Sequence, residues 1–262
     1  MFERPQKPFL TVDTGEAYQP IRLTYEIHQK DKLIERLNAM ACCKKGRNAN
    51  TWDWFWQNEC ADLPFESLES YQQSTSAPLR LGTFSVCDQS LFLTLPSFKR
   101  ACLAIPFCQR MIHSSLASLQ YADFVNHVFG IDSQLPHNVT DVFDHNALEN
   151  RLAQRLADYD IVQTKCEQAN TAEEALAILS AYTEAESKKC LPYAERHTFQ
   201  HDNNKDDPNT AFHSFYIYLR SRELVAIRRW FSDTGYSLSD AADETIEKVF
   251  GNVNLGLMDS TA

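Results

Sequence analysis

Two histidines four residues apart, His197 and His201, form the first group in the sequence that is suited to metal chemistry. On a helix this spacing places both imidazoles on one face, where they can bind one zinc ion together. Cys190 or His213 would supply a third ligand. The pattern therefore indicates zinc as a possible cofactor.

A zinc site of this kind favours a metal-dependent hydrolase as one function. Asp206 or Glu195 would then act as a base or would orient a ligand. Residues 202–209, however, have the composition of a loop. The alternative is a polar connection between two helices, with the histidines on its surface.

Three tryptophans at alternate positions, Trp52, Trp54 and Trp56, form the second group. A strand would place all three on one face, whereas a helix would bring only Trp52 and Trp56 together. Exposed tryptophans anchor protein interfaces, and buried tryptophans fill cores. We take the three as candidate contact residues for a protein partner, with core packing as the alternative.

A basic stretch precedes these tryptophans and contains Lys44, Lys45 and Arg47. Cations beside exposed aromatic rings can hold single-stranded nucleic acid, because phosphates bind the cations and bases stack on the rings. Local binding of nucleic acid through Lys44–Arg47 and the tryptophans is therefore a further hypothesis.

Two arginines seven residues apart, Arg222 and Arg229, share one face of a predicted helix. They are candidate contacts for an acidic partner or a phosphate group. The alternative is a solvated helix face on which nearby acids pair with the arginines.

Few glycines are present, 7 in 262 residues, and the glycine-rich motifs that hold phosphate groups are absent. The sequence also lacks the motifs of serine hydrolases, zinc peptidases, EF-hands and kinases. We therefore expect a protein that is not an enzyme and has no resident cofactor.

Composition and charge restrict the partners. The formal net charge is −10, which disfavours capture of nucleic acid by bulk electrostatics. The apolar runs are far shorter than the roughly 20 residues that span a bilayer. Because the sequence has no apparent secretion signal, we expect a cytoplasmic protein whose eight cysteines are reduced and mostly buried.

The elements that must position these groups differ between the two halves of the chain. The alternation of residues 21–27 predicts a strand, and residues 31–40 have helical spacing. Alternating residues 79–86 and 91–95 predict a hairpin, which a helix from residue 98 follows. This β-α-β-β-α order is compatible with half of a ferredoxin-like sandwich.

Helical patterns dominate beyond residue 113. They predict helices over residues 121–129 and 212–231, and a last helix that ends at Gly251. Thr171 and Glu174 form a capping box before a helix that carries Leu176 and Leu179.

The fold class predicted from these patterns is α+β, with a mainly helical C-terminal half. We expect an α+β domain over residues 1–135, a helical domain over residues 136–251 and a tail over residues 252–262. A single continuous domain is the alternative. The leading functional hypothesis is a non-enzymatic protein of the cytoplasm that binds or assembles other proteins.

Overall fold

The computed structural model describes residues 7–65, 67–135, 139–199, 208–233 and 235–250. Seven strands, β1 to β7, lie within these residues. In chain order they are Ile21–Ile27, Cys43–Lys45, Thr51–Phe55, Arg80–Cys87, Ser90–Leu95, Ala117–Val125 and Ala194–Thr198.

Seven α-helices, α1 to α7, lie within the same described residues. In chain order they are Lys30–Ala39, Leu68–Ser74, Phe98–Met111, His145–Glu167, Ala172–Ser187, Pro208–Trp230 and Leu238–Phe250. Short 3-10 turns span Asn58–Cys60 and Val139–Val142. None of the described helices has both the length and the apolar composition to cross a bilayer.

All seven strands form one antiparallel sheet with the order β2-β3-β4-β5-β1-β6-β7. The predicted α+β class is therefore confirmed, with strands mainly in the N-terminal half and helices in the C-terminal half. The order β4-β5-β1-β6, with α1 after β1 and α3 after β5, is the β-α-β-β-α-β arrangement of the ferredoxin-like motif. The hairpin β2–β3 is inserted after α1 and extends one edge of the sheet.

The helix predicted over residues 121–129 is wrong, because residues 117–125 form strand β6. β6 pairs with β1 on one side and with β7 on the other. Short apolar runs have no clear period, and here the hydrogen bonds of two neighbouring strands decide the conformation. The helix predicted from residue 98 is present and continues through Pro106 to Met111.

One face of the sheet packs against α3 and forms the main core. Phe107 of α3 stacks on Trp54 with ring centroids 5.0 Å apart, and Phe98 contacts Phe124 edge-on at 5.5 Å. α1 buries Leu33 and Leu37 in the same unit of the protein. Aromatic and branched side chains on inward strand positions thus hold the helices to the sheet by burial of apolar area.

The other face carries a buried ion network across three strands. Asp123 of β6 lies opposite Arg22 of β1 and Arg196 of β7. Its carboxylate accepts two hydrogen bonds from Arg196, at 2.6 and 2.9 Å, and one from Arg22 at 2.8 Å. Burial lowers the pKa of Arg196, but the hydrogen bonds and charge of Asp123, together with the smaller effects of Tyr121 and Glu149, outweigh it and leave the pKa raised.

The first part of α4 covers the free edge of β7. Arg151 donates to the carbonyl of Ala194 at 2.8 Å, and Arg155 donates to the carbonyl of Arg196 at 3.1 Å. Glu149 of the same helix pairs with the Arg196 guanidinium. These contacts satisfy outward carbonyls that would otherwise be open to pairing with another chain.

Gly82 of β4 is required by a close approach of β5. A Cβ atom at this position would lie 2.7 Å from the Thr94 carbonyl oxygen and 2.6 Å from Cδ2 of Leu95. We expect Gly82→Ala to lower the free energy of unfolding by about 1–3 kcal/mol, because the strands must shift apart. Urea unfolding followed by circular dichroism measures this loss.

The matched control for Gly82→Ala is Ser85→Ala, at a half-buried position of the same strand. It removes a small side chain without a clash and is expected to change stability by no more than about 0.5 kcal/mol. Equal effects of the two substitutions would contradict the close approach at Gly82.

The chain divides into two compact units. Among the described residues, the first comprises 7–158 and 192–199, and the second comprises 159–191 and 208–250. α4 begins in the first unit and ends in the second. The domain boundary near residue 135 stays a prediction.

Candidate functional site

Helix α5, in the second unit, presents an apolar stripe to solvent. Leu176 and Leu179 have exposed fractions of 65% and 44%, and Ala172 and Thr183 are also exposed. These four residues follow helical spacing and lie on one face. Large apolar side chains that share an exposed face mark a surface suited to a protein partner.

The sequence fixes the start of α5. Thr171 Oγ1 accepts a hydrogen bond from the Glu174 backbone N–H at 3.1 Å, and Glu174 Oε2 accepts one from the Asn170 N–H at 2.9 Å. This confirms the Thr171 half of the predicted capping box, while Glu174 reaches back to Asn170 instead of the Thr171 N–H. Alanine, leucine and glutamate, which have high helix propensity, dominate the turns that follow.

The orientation of the stripe is set by the other side of α5. Ala175, Ile178 and Tyr182 are less exposed than the stripe. The Cys166 thiol of α4 donates to the Ala175 carbonyl at 3.6 Å, and α5 also contacts α7. Since α4 and α7 pack against one side of α5, the stripe on its other side is exposed to solvent.

The charges beside the stripe are acidic. By helical geometry, Glu173 and Glu184 flank it on one side and Glu186 on the other. α5 itself contains no lysine, arginine or histidine. Beyond its end, Lys188 and Lys189 pair with Glu184 and Glu186, and the hydrogen bond from Lys188 lowers the pKa of Glu184.

Solvent weakens the interaction between the exposed side chains of Lys188 and Glu184. The two side chains are 69% and 66% exposed, and pairs this open to solvent contribute little. The stripe is therefore an apolar surface bordered by three glutamates, two of which have a lysine beside them.

The tryptophans of β3 occupy the core instead of the surface. Trp52 and Trp54 are each 1% exposed. Trp52 Nε1 donates to Asn38 Oδ1 at 2.8 Å, and Trp54 Nε1 donates to Cys60 Sγ at 2.8 Å. Trp56 lies just beyond β3, is half-buried, and donates to the Leu63 carbonyl at 3.1 Å. The first two cannot contact a partner in this conformation.

The basic stretch lies on the edge hairpin, where Lys44, Lys45 and Arg47 are exposed. The Lys45 ammonium lies 3.9 Å from the centroid of the Trp52 ring, and the Lys44 ammonium lies 5.3 Å from that of Phe55. The ammonium groups of the two lysines thus lie against aromatic rings of β3. Binding of single-stranded nucleic acid at this edge stays a prediction.

The two arginines of α6 differ in exposure. Arg222 is 8% exposed, and its guanidinium carbon lies 3.4 Å from the centroid of the Tyr218 ring. Arg229 is half-buried. Contact of Arg229 with a partner stays a prediction, while Arg222 packs within the second unit.

The structure does not place the proposed zinc ligands on one helix. His197 lies on strand β7, where its ring contacts Phe199 at 5.0 Å. His201 and Asp206 lie outside the described residues. His197 is therefore not on a helix, because residues 194–198 pair with β6 in the sheet. Joint binding of zinc by His197 and His201 stays a prediction.

The other residues of the zinc hypothesis have separate surroundings. Cys190 and His213 are exposed. Glu195 Oε2 accepts a hydrogen bond from Asn126 Nδ2 at 2.9 Å. Within the described part of the chain, no group of three or more histidine, cysteine, aspartate or glutamate side chains is arranged to hold a metal ion.

The sequence predicts α5 but not its exposed stripe. The predicted helix carries Leu176 and Leu179, and both leucines are exposed, whereas Tyr182 is half-buried. A usable signal was present, since apolar residues cover more than one face of this helix. A helix with two apolar faces needs a second surface to pack against.

Comparison with known proteins gives no further guide. No family model, curated protein or solved structure matches this chain. A function for this chain is therefore proposed from its own residues.

Proposed function

We propose that this chain is a non-enzymatic interaction protein of the cytoplasm, which binds a basic amphipathic helix of another protein on the stripe of α5. The observation that carries the proposal is the exposure of Leu176 and Leu179, 65% and 44%, on one face of a well-capped helix. An amphipathic helix of a partner protein binds such a surface through its apolar face.

Charge selects the partner. The three border glutamates outnumber the two lysines that pair with them, so a partner helix with lysines or arginines beside its apolar residues meets an excess of opposite charge. A second copy of α5 would bring the same glutamates against one another, and like charges across an interface are costly. A basic partner therefore fits this surface better than self-association.

The proposal is tested with two synthetic peptides. One is an amphipathic helix with leucines on one face and lysines on both flanks, and the other carries glutamates in place of the lysines. We expect the full chain to bind the lysine peptide, measured by fluorescence anisotropy, and to bind it more weakly as salt rises. The glutamate peptide should bind far more weakly.

The variant that probes the stripe is Leu176→Glu with Leu179→Glu. Burial of two leucines contributes about 3–6 kcal/mol, so their loss should weaken binding by more than about 100-fold. Because both side chains are exposed, stability should change by less than about 0.5 kcal/mol per site. The matched control is Ile161→Glu on α4, whose side chain is 55% exposed and should leave binding unchanged.

Three results would contradict the proposal. They are equal binding of the two peptides, no loss of binding in the doubly substituted variant, and a concentration-dependent dimer that the same variant abolishes. The last result would assign the stripe to a second copy of the chain.

A further inference from the structure

Three buried cysteines meet where α1 leads into β2. Cys42, Cys43 and Cys60 are 0%, 8% and 0% exposed. Cys43 lies opposite Trp54 in the β2–β3 pair, and the Trp54 indole contacts the Cys60 sulfur. Buried cysteines on neighbouring segments differ from isolated ones, because two of them can be joined without a large rearrangement.

Local hydrogen bonds hold Cys42 and Cys60 beside each other. The Glu59 carboxylate accepts hydrogen bonds from the backbone N–H groups of Ala41 and Cys42, each at 2.9 Å. Trp54 Nε1 donates to Cys60 Sγ at 2.8 Å. The segment that carries Cys60 is thus anchored both to the backbone before β2 and to a core tryptophan.

The neighbouring thiols favour a thiolate on Cys42, and their effect on its pKa outweighs the opposing effects of burial and of the Glu59 carboxylate. Hydrogen bonds from Cys43 and Cys60 lower its pKa below the usual value for a thiol. The pKa of Cys60 is raised, first by its hydrogen bond to Cys42 and then by burial. One sulfur in the cluster is therefore suited to act as a nucleophile, and its neighbour keeps its proton until a later step.

We propose that Cys42 and Cys60 are a reversible oxidation site, which forms a disulfide when a hydroperoxide oxidises the protein. The Cys42 thiolate attacks a peroxide oxygen, the O–O bond breaks, and Cys42 becomes a sulfenic acid with release of one water. The Cys60 sulfur then attacks the Cys42 sulfur, and the sulfenic oxygen leaves as a second water. Two thiols are oxidised and one hydrogen peroxide is reduced to two waters.

Geometry favours this pair over Cys42 with Cys43. Adjacent Cα atoms are about 3.8 Å apart, which is shorter than the usual span of a disulfide and would distort the peptide between them. Cys42 and Cys60 are brought together instead by the intervening hairpin β2–β3. β2 has three residues and lies at the edge of the sheet, so local opening there admits a small, uncharged oxidant.

The test uses the full chain with Cys87→Ser and Cys190→Ser, which removes the two exposed thiols. The protein is treated with hydrogen peroxide, its remaining thiols are alkylated, and it is digested with trypsin without reductant. Cleavage at Arg36, Lys44, Arg47 and Arg80 separates residues 37–44, which hold Cys42 and Cys43, from residues 48–80, which hold Cys60. We expect these two peptides to be joined, with the loss of two hydrogen atoms per chain, and to separate on reduction.

Three variants assign the link. Cys43→Ser and Cys108→Ser should both retain it, because neither residue takes part, although Cys108 is also buried. Cys60→Ser should abolish it. Trp54 fluorescence in the unsubstituted protein should also change on oxidation and recover with reductant, because its indole contacts the Cys60 sulfur.

Two results would overturn the proposal. In one, Cys42 and Cys60 are recovered as separately alkylated or singly oxygenated peptides after peroxide has oxidised other thiols of the same molecule. In the other, the link joins a different pair of cysteines. Both results are read from the peptide map of the protein with its cluster intact, so they do not depend on whether Cys60→Ser folds.

Discussion

Replacement of Asp123 by alanine is expected to lower the free energy of unfolding by about 3–5 kcal/mol. Asp123 is 0% exposed and is the shared partner of Arg22 and Arg196. Its removal leaves two guanidinium groups inside the protein without their common counter-charge. Such a loss is a large part of the roughly 5–15 kcal/mol that stabilises a typical domain.

The measurement for Asp123→Ala is urea unfolding followed by circular dichroism. Asp53→Ala is the matched control, because Asp53 also lies on the sheet and pairs with an arginine, Arg80, at 2.5 Å. The Asp53 and Arg80 side chains are 29% and 56% exposed, so the control should cost no more than about 1 kcal/mol. If the two aspartates gave equal losses, the buried network would not be what stabilises β1, β6 and β7.

Replacement of Trp54 by alanine should also cost about 3–5 kcal/mol, as large core aromatic residues do. The Trp54 ring stacks on Phe107 with centroids 5.0 Å apart and lies 6.1 Å from Phe84. Alanine leaves a cavity between β3 and α3, and the Cys60 thiol loses the indole N–H. Circular dichroism in urea again measures the effect.

Trp56→Ala is the comparison for Trp54→Ala, since Trp56 is half-buried and lies outside the strand. We expect a smaller loss of stability there. Stability that is unchanged in Trp54→Ala would argue against a core position. Binding of the lysine peptide should be the same in both variants, because the proposed docking surface is on α5.

Much of the secondary structure could be predicted because the local patterns are strong. The alternating strand near residue 21, the hairpin of β4 and β5, and the capping box of α5 all carry their signal within a few residues. β6 and β7 could not be predicted in this way. Each is fixed by hydrogen bonds to strands far away in sequence, as the pairing of Asp123 with Arg196 illustrates.

The candidate site was less predictable than the fold, because function depends on which side of an element faces solvent. Alternation placed Trp52 and Trp54 on one face, but only the sheet and α3 determine that this face is the core. The helical pattern of α5 included Leu176 and Leu179, but only its neighbours determine that these leucines are exposed. Burial is a property of the assembled elements and not of a local pattern.

The sequence by itself determined an acidic α+β protein with few glycines, a capped helix α5 and eight cysteines, because composition and short-range spacing specify these features. Only the tertiary structure decided that Trp52 and Trp54 are core, that His197 is on a strand, and that Cys42 and Cys60 lie on neighbouring buried segments. Each of these depends on contacts between residues that the chain brings together when it folds.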